Sequence, residues 1–302
     1  MDKNLLAANH LKDEAAARAY LESIRWPNGP VCPHCSAIKI YRLKVKNTQR
    51  EILKCAACRK QFTVTVGTIF EDSHIPLTKW IQAFQLVCSS KKGISTHQLH
   101  RMLGITYKSA WFMSHRIRYV MTHGTFTGKL GGTVEIDETY VGSKRRQVKH
   151  GSRSHRTPVI SLVERDGRVR SFVLPVVNAK NLKEMILTHV DSTTRLMTDS
   201  FSSYRGLDKE FASHETVSHW EKEYARGDVH TNTVEGYFSL LKRGLTGTFH
   251  HVSRQHLHRY LAEFDFRYNA RKASDSQRSM AALKAVEGKR LQYRSACQAQ
   301  GH

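Results

Sequence analysis

The chain has 302 residues, of which 40% are apolar, enough for a core in one large domain or two to three smaller ones. It has no run of about 18 uncharged apolar residues and no signal-peptide-like block near its start, so we expect a cytoplasmic protein without a membrane partner. Lysine and arginine total 48 against 26 acids, and a net charge of +22 predicts a polyanionic partner, nucleic acid above all.

The first segment predicts a helix followed by a metal-binding ribbon. Residues 1–25 favour a helix, which "RWPNGP" ends. Two CxxC pairs follow, nineteen residues apart, with a hairpin-like alternation between them. This spacing predicts one structural Zn²⁺ bound by four thiolates, those of Cys32, Cys35, Cys55 and Cys58. The alternative is four unrelated cysteines that are buried or redox-active. Disulfides are not expected, because they are rare in cytosolic proteins.

The next segment is helical and basic, and no acid occurs from residue 73 to residue 134. After an amphipathic helix from about residue 77, the sequence predicts a helix-turn-helix: a first helix at Ser95–Leu103, a turn at Gly104 and a second helix capped by Thr106. The second helix of such a motif enters the DNA major groove. The side chains expected to face outward are Lys108, Ser109, Phe112 and Arg116. The alternative is an ordinary helical hairpin.

From about residue 133 the pattern changes to strands. The strand-like runs cover residues 133–142, 157–167, 168–177 and 194–204, with a helix at 181–190 before the last. Further helices are predicted at 232–244 and 254–272. The loop between the first two runs has six Lys/Arg and no acid, which predicts DNA contacts. The contacts assigned there are Lys144, Arg145, Arg146 and Arg153.

The first strand-like run, "TVEIDETYVG", carries three acids, and its alternation places Glu135 and Asp137 on one face. Asp199 ends the fourth run, and Glu235 lies near the start of a helix. Three carboxylates from two strands and a helix would form a hard-oxygen site for Mg²⁺ or Mn²⁺. We therefore interpret the acidic face as facing metal, whose charge would offset the repulsion between the acids. Glu135 is given no ligand role and serves as the control for Asp137.

Each of these acids also has a purely structural interpretation. Asp137 would be an exposed strand residue, and Asp199 a local cap. Glu235 would be the third helical position of a capping box that has Asn232 at its N-cap. Lys242 lies about two turns beyond Glu235, on the same helical face. There it would contact a DNA phosphate, or simply favour the helix C-terminus.

Taken together, these motifs resemble bacterial insertion-sequence transposases of the IS1595 type, the group with an ISXO2-like transposase domain. The matching segments, within about residues 15–271, are "WPNGPVCPHC", "CAACRKQFTVTVGTIFEDSHIPLTKW", "VEIDETYVG", "MTDS" and "HTNTVEGYFSLLKRG". The resemblance implies an α/β fold: an RNase H-like mixed sheet flanked by helices, preceded by a zinc ribbon and a helix-turn-helix segment. It also implies a DDE triad at Asp137, Asp199 and Glu235, and Lys242 matches a basic residue that follows the glutamate. Lys242 and Arg243 are assigned to DNA contact.

Four parts are predicted along the chain. They are an N-terminal helix and zinc ribbon (1–75), a helix-turn-helix segment (76–130), an RNase H-like catalytic domain (131–272) and a basic helical tail (273–302). The resemblance implies a transposase that binds terminal inverted repeats and carries out metal-dependent cleavage and strand transfer, with Mg²⁺ or Mn²⁺ as the catalytic cofactor and Zn²⁺ as the structural one. Pairing two DNA ends implies self-association on DNA.

Two other functions stay open. The first is a catalytically silent DNA-binding regulator derived from a transposase, and the presence of all three acids argues against it. The second is an RNase H-like nuclease that cuts without joining. The separate DNA-binding modules argue against the nuclease, because a general nuclease has no need to recognise specific ends.

Overall fold

The protein is described from a computed structural model, which covers residues 8–44, 51–122, 128–142 and 156–291. The chain divides into two compact units, residues 1–121 with 273–302 and residues 122–272. Among the described residues, no helix is both long enough and apolar enough to cross a bilayer.

The first unit opens with a short 3₁₀ turn at Asn9–Leu11, followed by helix α1 (Glu14–Arg25). The helix begins at Glu14 because the Asp13 carboxylate accepts the backbone N–H of Ala16 at 2.7 Å. Residues 8–13 of the predicted helix are therefore not α-helical, and its residues 1–7 lie outside the described part of the chain. Three strands then form an antiparallel sheet in the order β1-β2-β3: β1 (Ile40–Lys44), β2 (Glu51–Cys55) and β3 (Gln61–Phe62). The β1–β2 pairing confirms the hairpin predicted between the cysteine pairs.

The remaining helices of the first unit are α2 (Leu77–Ser89), α3 (Thr96–Leu103), α4 (Tyr107–Val120) and α8 (Asp275–Lys284). Ser95 caps α3, Gly104 takes the left-handed conformation with φ 59°, and Thr106 caps α4. These are the boundaries that the helix-turn-helix prediction gave. The chain returns to this unit after residue 272, and α8 packs on α2, where Arg278 donates to the carbonyl of Cys88 at 3.0 Å.

In the described part of the second unit, five strands form a mixed sheet in the order β6-β5-β4-β7-β8. They are β4 (Thr133–Val141), β5 (Thr157–Glu164), β6 (Val169–Val173), β7 (Arg195–Asp199) and β8 (Ser213–Val217). The β4–β5 and β5–β6 pairs are antiparallel, whereas β4–β7 and β7–β8 are parallel. Four of these strands match the predicted runs. The sequence missed β8, "SHETV", because it lies at the sheet edge and buries only Val217, so it lacks an apolar pattern.

Helices cover both faces of this sheet, which confirms the predicted α/β fold class, a mixed sheet flanked by helices. Helix α5 (Ala179–His189) packs on the face that carries Val134 and Ile136 of β4. The opposite face is covered by α6 (Asn232–Gly244) and α7 (Arg254–Asn269). A hairpin of β9 (Ala225–Arg226) and β10 (Val229–His230) leads into α6. The acids of β4 that alternate with Val134 and Ile136 therefore lie on the α6 face.

Candidate functional site

The two predicted aspartates lie at neighbouring positions of the sheet. Strands β4 and β7 are parallel, with Glu135 paired to Met197. The pairing ends there, and two residues further along each strand come Asp137 and Asp199, which alternation puts on the same face. The charge of Asp199 acts on Asp137, so the two carboxylates lie near each other. The backbone N–H of Glu138 donates to Oδ1 of Asp137 at 2.7 Å. Parallel pairing thus brings together two acids that are far apart in sequence.

The third acid, Glu235, lies in the first turn of α6 and is 47% exposed. The Thr231 hydroxyl donates to its Oε1 at 3.4 Å, and Nε2 of His219 lies 3.6 Å from the same oxygen. Helix α6 packs on β4 and β5, on the face that carries Asp137. Glu235 therefore lies on the side of the sheet where the two aspartates lie.

The acids act on one another electrostatically. Burial, followed by the charges of Glu138, Asp199 and Glu235, raises the pKa of Asp137 to about 7. A group of carboxylates whose charges oppose one another fits a hard divalent cation such as Mg²⁺ or Mn²⁺. Among the described residues, however, the cysteines alone form a group whose ligand atoms lie close enough together to bind an ion. The three carboxylates are neighbours but not a closed ligand set.

Glu138 is an acid of this region to which sequence reasoning gave no role. The buried Tyr204 hydroxyl donates to its Oε2 at 2.6 Å. Burial and the charge of Asp199 raise the pKa of Glu138. The signal in the sequence was its position directly after Asp137.

Glu135 contacts an arginine and the start of α6, which corrects the interpretation that the whole acidic face of the strand faces metal. Its side chain is 0% exposed, and its Oε1 accepts from Nε of Arg165 at 2.7 Å. The backbone N–H groups of Thr233 and Val234, in the first turn of α6, donate to its Oε2 at 2.7 and 3.1 Å. An arginine and a helix N-terminus therefore stabilise this charge. Glu135→Gln would therefore remove the charge from a buried ion pair, so Glu135 is not a matched control for Asp137.

The same contacts remove the capping-box interpretation of Glu235. The N-cap of helix α6 is Thr231, not Asn232. The Thr231 side chain accepts no backbone N–H of the helix. The carboxylate of Glu135 on β4 takes two of these N–H groups instead. Glu235 is thus not engaged in capping its own helix.

Two predicted DNA contacts lie in the last turn of α6, and both are exposed. They are Lys242 and Arg243, and Nε of Arg243 donates to the carbonyl of Ser239 at 3.1 Å. The helix ends at Gly244, but the chain continues in a π-helical turn at Leu245–Phe249. The four predicted contacts of the basic loop, Lys144, Arg145, Arg146 and Arg153, lie outside the described residues.

The four ribbon cysteines come together as predicted. Their ligand atoms all lie within 4.8 Å of one another. Sγ of Cys32 is 3.7 Å from Sγ of Cys58, and Sγ of Cys35 is 3.6 Å from Sγ of Cys55. A tetrahedral zinc site with Zn–S bonds of about 2.3 Å separates its sulfurs by about 3.8 Å, whereas a disulfide bond is about 2.05 Å long. The sulfur positions therefore fit one structural Zn²⁺.

The predicted recognition residues of α4 have different environments. Lys108 is exposed, and Ser109 takes part in the N-cap, because its N–H donates to Oγ1 of Thr106 at 3.2 Å. Phe112 is partly buried, with the guanidinium of Arg116 4.4 Å from its ring centre.

The expectation that Arg116 faces outward is wrong. Its side chain is buried, with the residue 7% exposed. Its Nε donates to the carbonyl of Leu291 at 3.1 Å, and its Nη1 donates to the carbonyl of Ile69 at 2.5 Å. The sequence could not show this, because an arginine at the edge of an apolar helix face usually extends its charged end into water. Here backbone carbonyls replace that water.

Comparison with known proteins gives two family matches. Residues 129–269 match the model of the ISXO2-like transposase domain, and residues 12–61 match that of the transposase zinc-ribbon domain. The first range contains Asp137, Asp199 and Glu235, and the second contains Cys32, Cys35, Cys55 and Cys58.

Two curated proteins are similar in sequence. The chain is 32% identical over 273 residues to "Uncharacterized protein in transposable element ISH50" of Halobacterium salinarum, covering 84% of this chain and 90% of that protein. It is 28% identical over 102 residues to an "Uncharacterized transposase-like protein" of Haemophilus influenzae, covering 34% of this chain and 81% of that protein.

Solved structures of the Mos1 transposase show a weaker similarity. The pre-cleavage Mos1 transpososome matches with a TM-score of 0.29 at 12% identity, covering 74% of this chain and 79% of that one. The Mos1 strand transfer complex matches with a TM-score of 0.23 at 14% identity, covering 65% and 77%.

Proposed function

Because the chain belongs to the IS1595-type insertion-sequence transposases, we propose that it is a DDE transposase that binds the terminal inverted repeats of its element and cleaves and joins DNA there. One observation carries the proposal. Asp137 and Asp199 follow the paired positions of neighbouring parallel strands, and burial, with the charges of Glu138, Asp199 and Glu235, raises the pKa of Asp137. Acids held against their own repulsion are typical of a site built for divalent cations.

Asp137, Asp199 and Glu235 would bind Mg²⁺ or Mn²⁺, which when bound activates an attacking oxygen and stabilises the leaving oxygen at phosphorus. The residues of the chain hold and orient this site. The sheet fixes the two aspartates, and α6 carries Glu235. Lys242, two turns further along the same helix, is proposed to contact a phosphate near the reacting one, together with Arg243.

Recognition of the DNA ends is proposed for the ribbon, helix α4 and the basic loop. On α4 we assign it to Lys108, Ser109 and Phe112, but no longer to Arg116, which is buried. The net charge of +22 suits binding to the phosphate backbone. Joining an element requires two ends in one complex, so we propose that at least two copies of the chain associate on DNA.

The test is incubation with labelled element-end DNA in Mg²⁺ and in Mn²⁺, with nicking and strand transfer scored separately. The wild-type chain is expected to do both, whereas Asp199→Asn and Glu235→Gln are expected to bind the ends without cutting them. Specific binding without nicking by the wild type would overturn the proposal in favour of a silent DNA-binding regulator. Nicking of any duplex without joining would identify a nuclease.

A further inference from the structure

We propose that Glu135 is a positioning residue for the metal site: it fixes the start of α6, and with it Glu235, to the strand that carries Asp137. The inference rests on the proposed function, and it concerns a residue to which neither the family resemblance nor the sequence pattern gave a role. It is carried by the contacts of one buried carboxylate and of the arginine bound to it.

The carboxylate of Glu135 is fully engaged. Its Oε1 accepts from Nε of Arg165 at 2.7 Å and from the Thr233 hydroxyl at 2.8 Å. Its Oε2 accepts the backbone N–H groups of Thr233 and Val234 at 2.7 and 3.1 Å. A neutral glutamine has only one oxygen to accept with, and its amide group would face donors. The negative charge is therefore required here, and not only the shape of the side chain.

Arg165 extends the connection to further elements. Its Nη2 donates to Sδ of Met197 on β7 at 2.9 Å and to the carbonyl of His230 on β10 at 3.1 Å. Its backbone N–H donates to the carbonyl of Thr133 on β4 at 2.9 Å. We call the residues Glu135, Arg165, Met197, His230 and Thr233 the Glu135 cluster. The cluster joins β4, β7, β10 and α6.

The spacing of the cluster explains how it would act on the site. Each proposed metal ligand follows a member of the cluster by two residues: Asp137 follows Glu135 on β4, Asp199 follows Met197 on β7, and Glu235 follows Thr233 on α6. In strands, residues two apart share a face, and in a helix they belong to the same turn. A displacement of the cluster would therefore move the ligands relative to one another. Groups that orient metal ligands without touching the metal typically change metal affinity about 10–100-fold when mutated.

The competing explanation is that Glu135 only contributes to the stability of the fold. The chain offers a matched control in the same unit, the pair Glu263–Arg267 within α7. Both glutamates are 0% exposed and paired with an arginine: the arginine side chain is 20% exposed in the first pair and 9% in the second. Glutamine at either position removes a buried carboxylate from its ion pair. Arg267 lies one turn from Glu263 on the same helix, whereas Glu135 on β4 accepts the first N–H groups of α6.

The experiment compares Glu135→Gln with Glu263→Gln in the full chain with its zinc retained. Mn²⁺ affinity is measured without DNA by electron paramagnetic resonance, and strand transfer is measured against Mn²⁺ concentration. For Glu135→Gln we expect Mn²⁺ binding to weaken about 10–100-fold, with strand transfer partly recovered at high Mn²⁺. For Glu263→Gln we expect a lower melting temperature with an unchanged Mn²⁺ affinity.

A folded Glu135→Gln variant with wild-type Mn²⁺ affinity would overturn the inference, and so would an equal loss of affinity in both variants. If Glu135→Gln does not fold, Glu135→Asp and Arg165→Lys keep the charges and shorten the contacts. The inference then requires weaker Mn²⁺ binding in these variants, and normal binding in both would overturn it. If wild type binds Mn²⁺ but joins no DNA, the proposed function fails while the comparison of variants still tests the role of Glu135.

Discussion

At the scale of single residues, Asp137 is a carboxylate whose surroundings oppose its negative charge. Its position on β4 takes the side chain largely out of water, and three neighbouring acids oppose its charge, so its pKa rises to about 7. Below about pH 7, the metal-free site therefore holds a proton that a cation would displace. Burial that is unfavourable in the metal-free protein becomes useful when a cation is bound.

The first prediction concerns the charge of Asp137. Asp137→Asn keeps the shape of the side chain but removes the negative charge, so nicking and strand transfer should fall by orders of magnitude. Binding to the element ends should stay close to wild type. Both are measured on the same DNA, in Mg²⁺ and in Mn²⁺. Glu263→Gln, not Glu135→Gln, is the control, and near-normal joining by Asp137→Asn would exclude Asp137 from the site.

The second prediction is a pH dependence. The pKa of Asp137 is about 7 in the folded chain against 3.8 for an unperturbed aspartate, so folding favours the protonated form. Its contribution to stability is fully present below about pH 4 and is lost as the pH rises through 7. Without Mg²⁺ or Mn²⁺, the melting temperature of Asp137→Asn minus that of wild type should therefore increase from pH 4 to pH 7. A difference that stays constant over this range would contradict the burial of this charge.

At the scale of elements, helix α4 separates two basic residues that the sequence treated alike. Arg116 is buried against backbone carbonyls, whereas Lys108 is exposed near the start of the helix. A helical periodicity assigns both to the outward side only because it ignores the chain segments that pack on the helix. The two residues should therefore respond to substitution in different ways.

The third prediction follows from this difference. Arg116→Ala leaves the carbonyls of Ile69 and Leu291 without their donor, and should lower the free energy of unfolding by about 1–3 kcal/mol. Lys108→Ala should leave stability unchanged but weaken binding to the ends and reduce the salt slope by about 1. Urea unfolding and DNA binding at several salt concentrations measure the two effects. The reverse pattern would assign recognition to Arg116 and packing to Lys108.

The fourth prediction concerns the ribbon. Purified protein should contain about one zinc per chain, because the four sulfurs have the separations of a tetrahedral site. Cys55→Ser should lower the zinc content and expose β1 and β2 to proteolysis, since binding of the metal stabilises the fold. Cys88→Ser is the control, because Cys88 lies on α2 outside the cysteine cluster. A folded ribbon in metal-free wild type would contradict the prediction.

At the scale of the whole molecule, the first unit is built from two separate segments of the chain. The first unit contains both ends of the described chain, because residues 273–291 return to it after the second unit is complete. The Arg25 guanidinium pairs with Glu287, and Lys289 donates to the carbonyl of Val120 at 2.6 Å. The C-terminal segment is thus part of the packing of the first unit.

The fifth prediction tests this return of the chain with two neighbouring residues of α8. Leu283 is 1% exposed, so Leu283→Ala should destabilise the first unit by about 2–5 kcal/mol. Lys284 is exposed, and Lys284→Ala should change stability by less than about 0.5 kcal/mol. Hydrogen exchange of the α2 amides reports the stability of this unit. Equal protection of the α2 amides in both variants would mean that α8 adds nothing to the stability of the first unit.

The sequence by itself determined the features that depend on neighbours in the chain. The sequence predicted the cap at Thr106, the turn at Gly104, four strands of the mixed sheet and helix α6, because each depends on residues within a few positions of one another. The paired CxxC motifs likewise predicted the cysteine cluster.

Only the tertiary structure decided how residues far apart in sequence meet. Glu135 contacts Thr233 across 98 positions, and Arg116 contacts Leu291 across 175. Alternation places Glu135 and Asp137 on one face but does not show which one meets an arginine and a helix N-terminus. Whether a buried charge is stabilised depends on the donors that packing brings to it, and a local pattern contains no information about those donors.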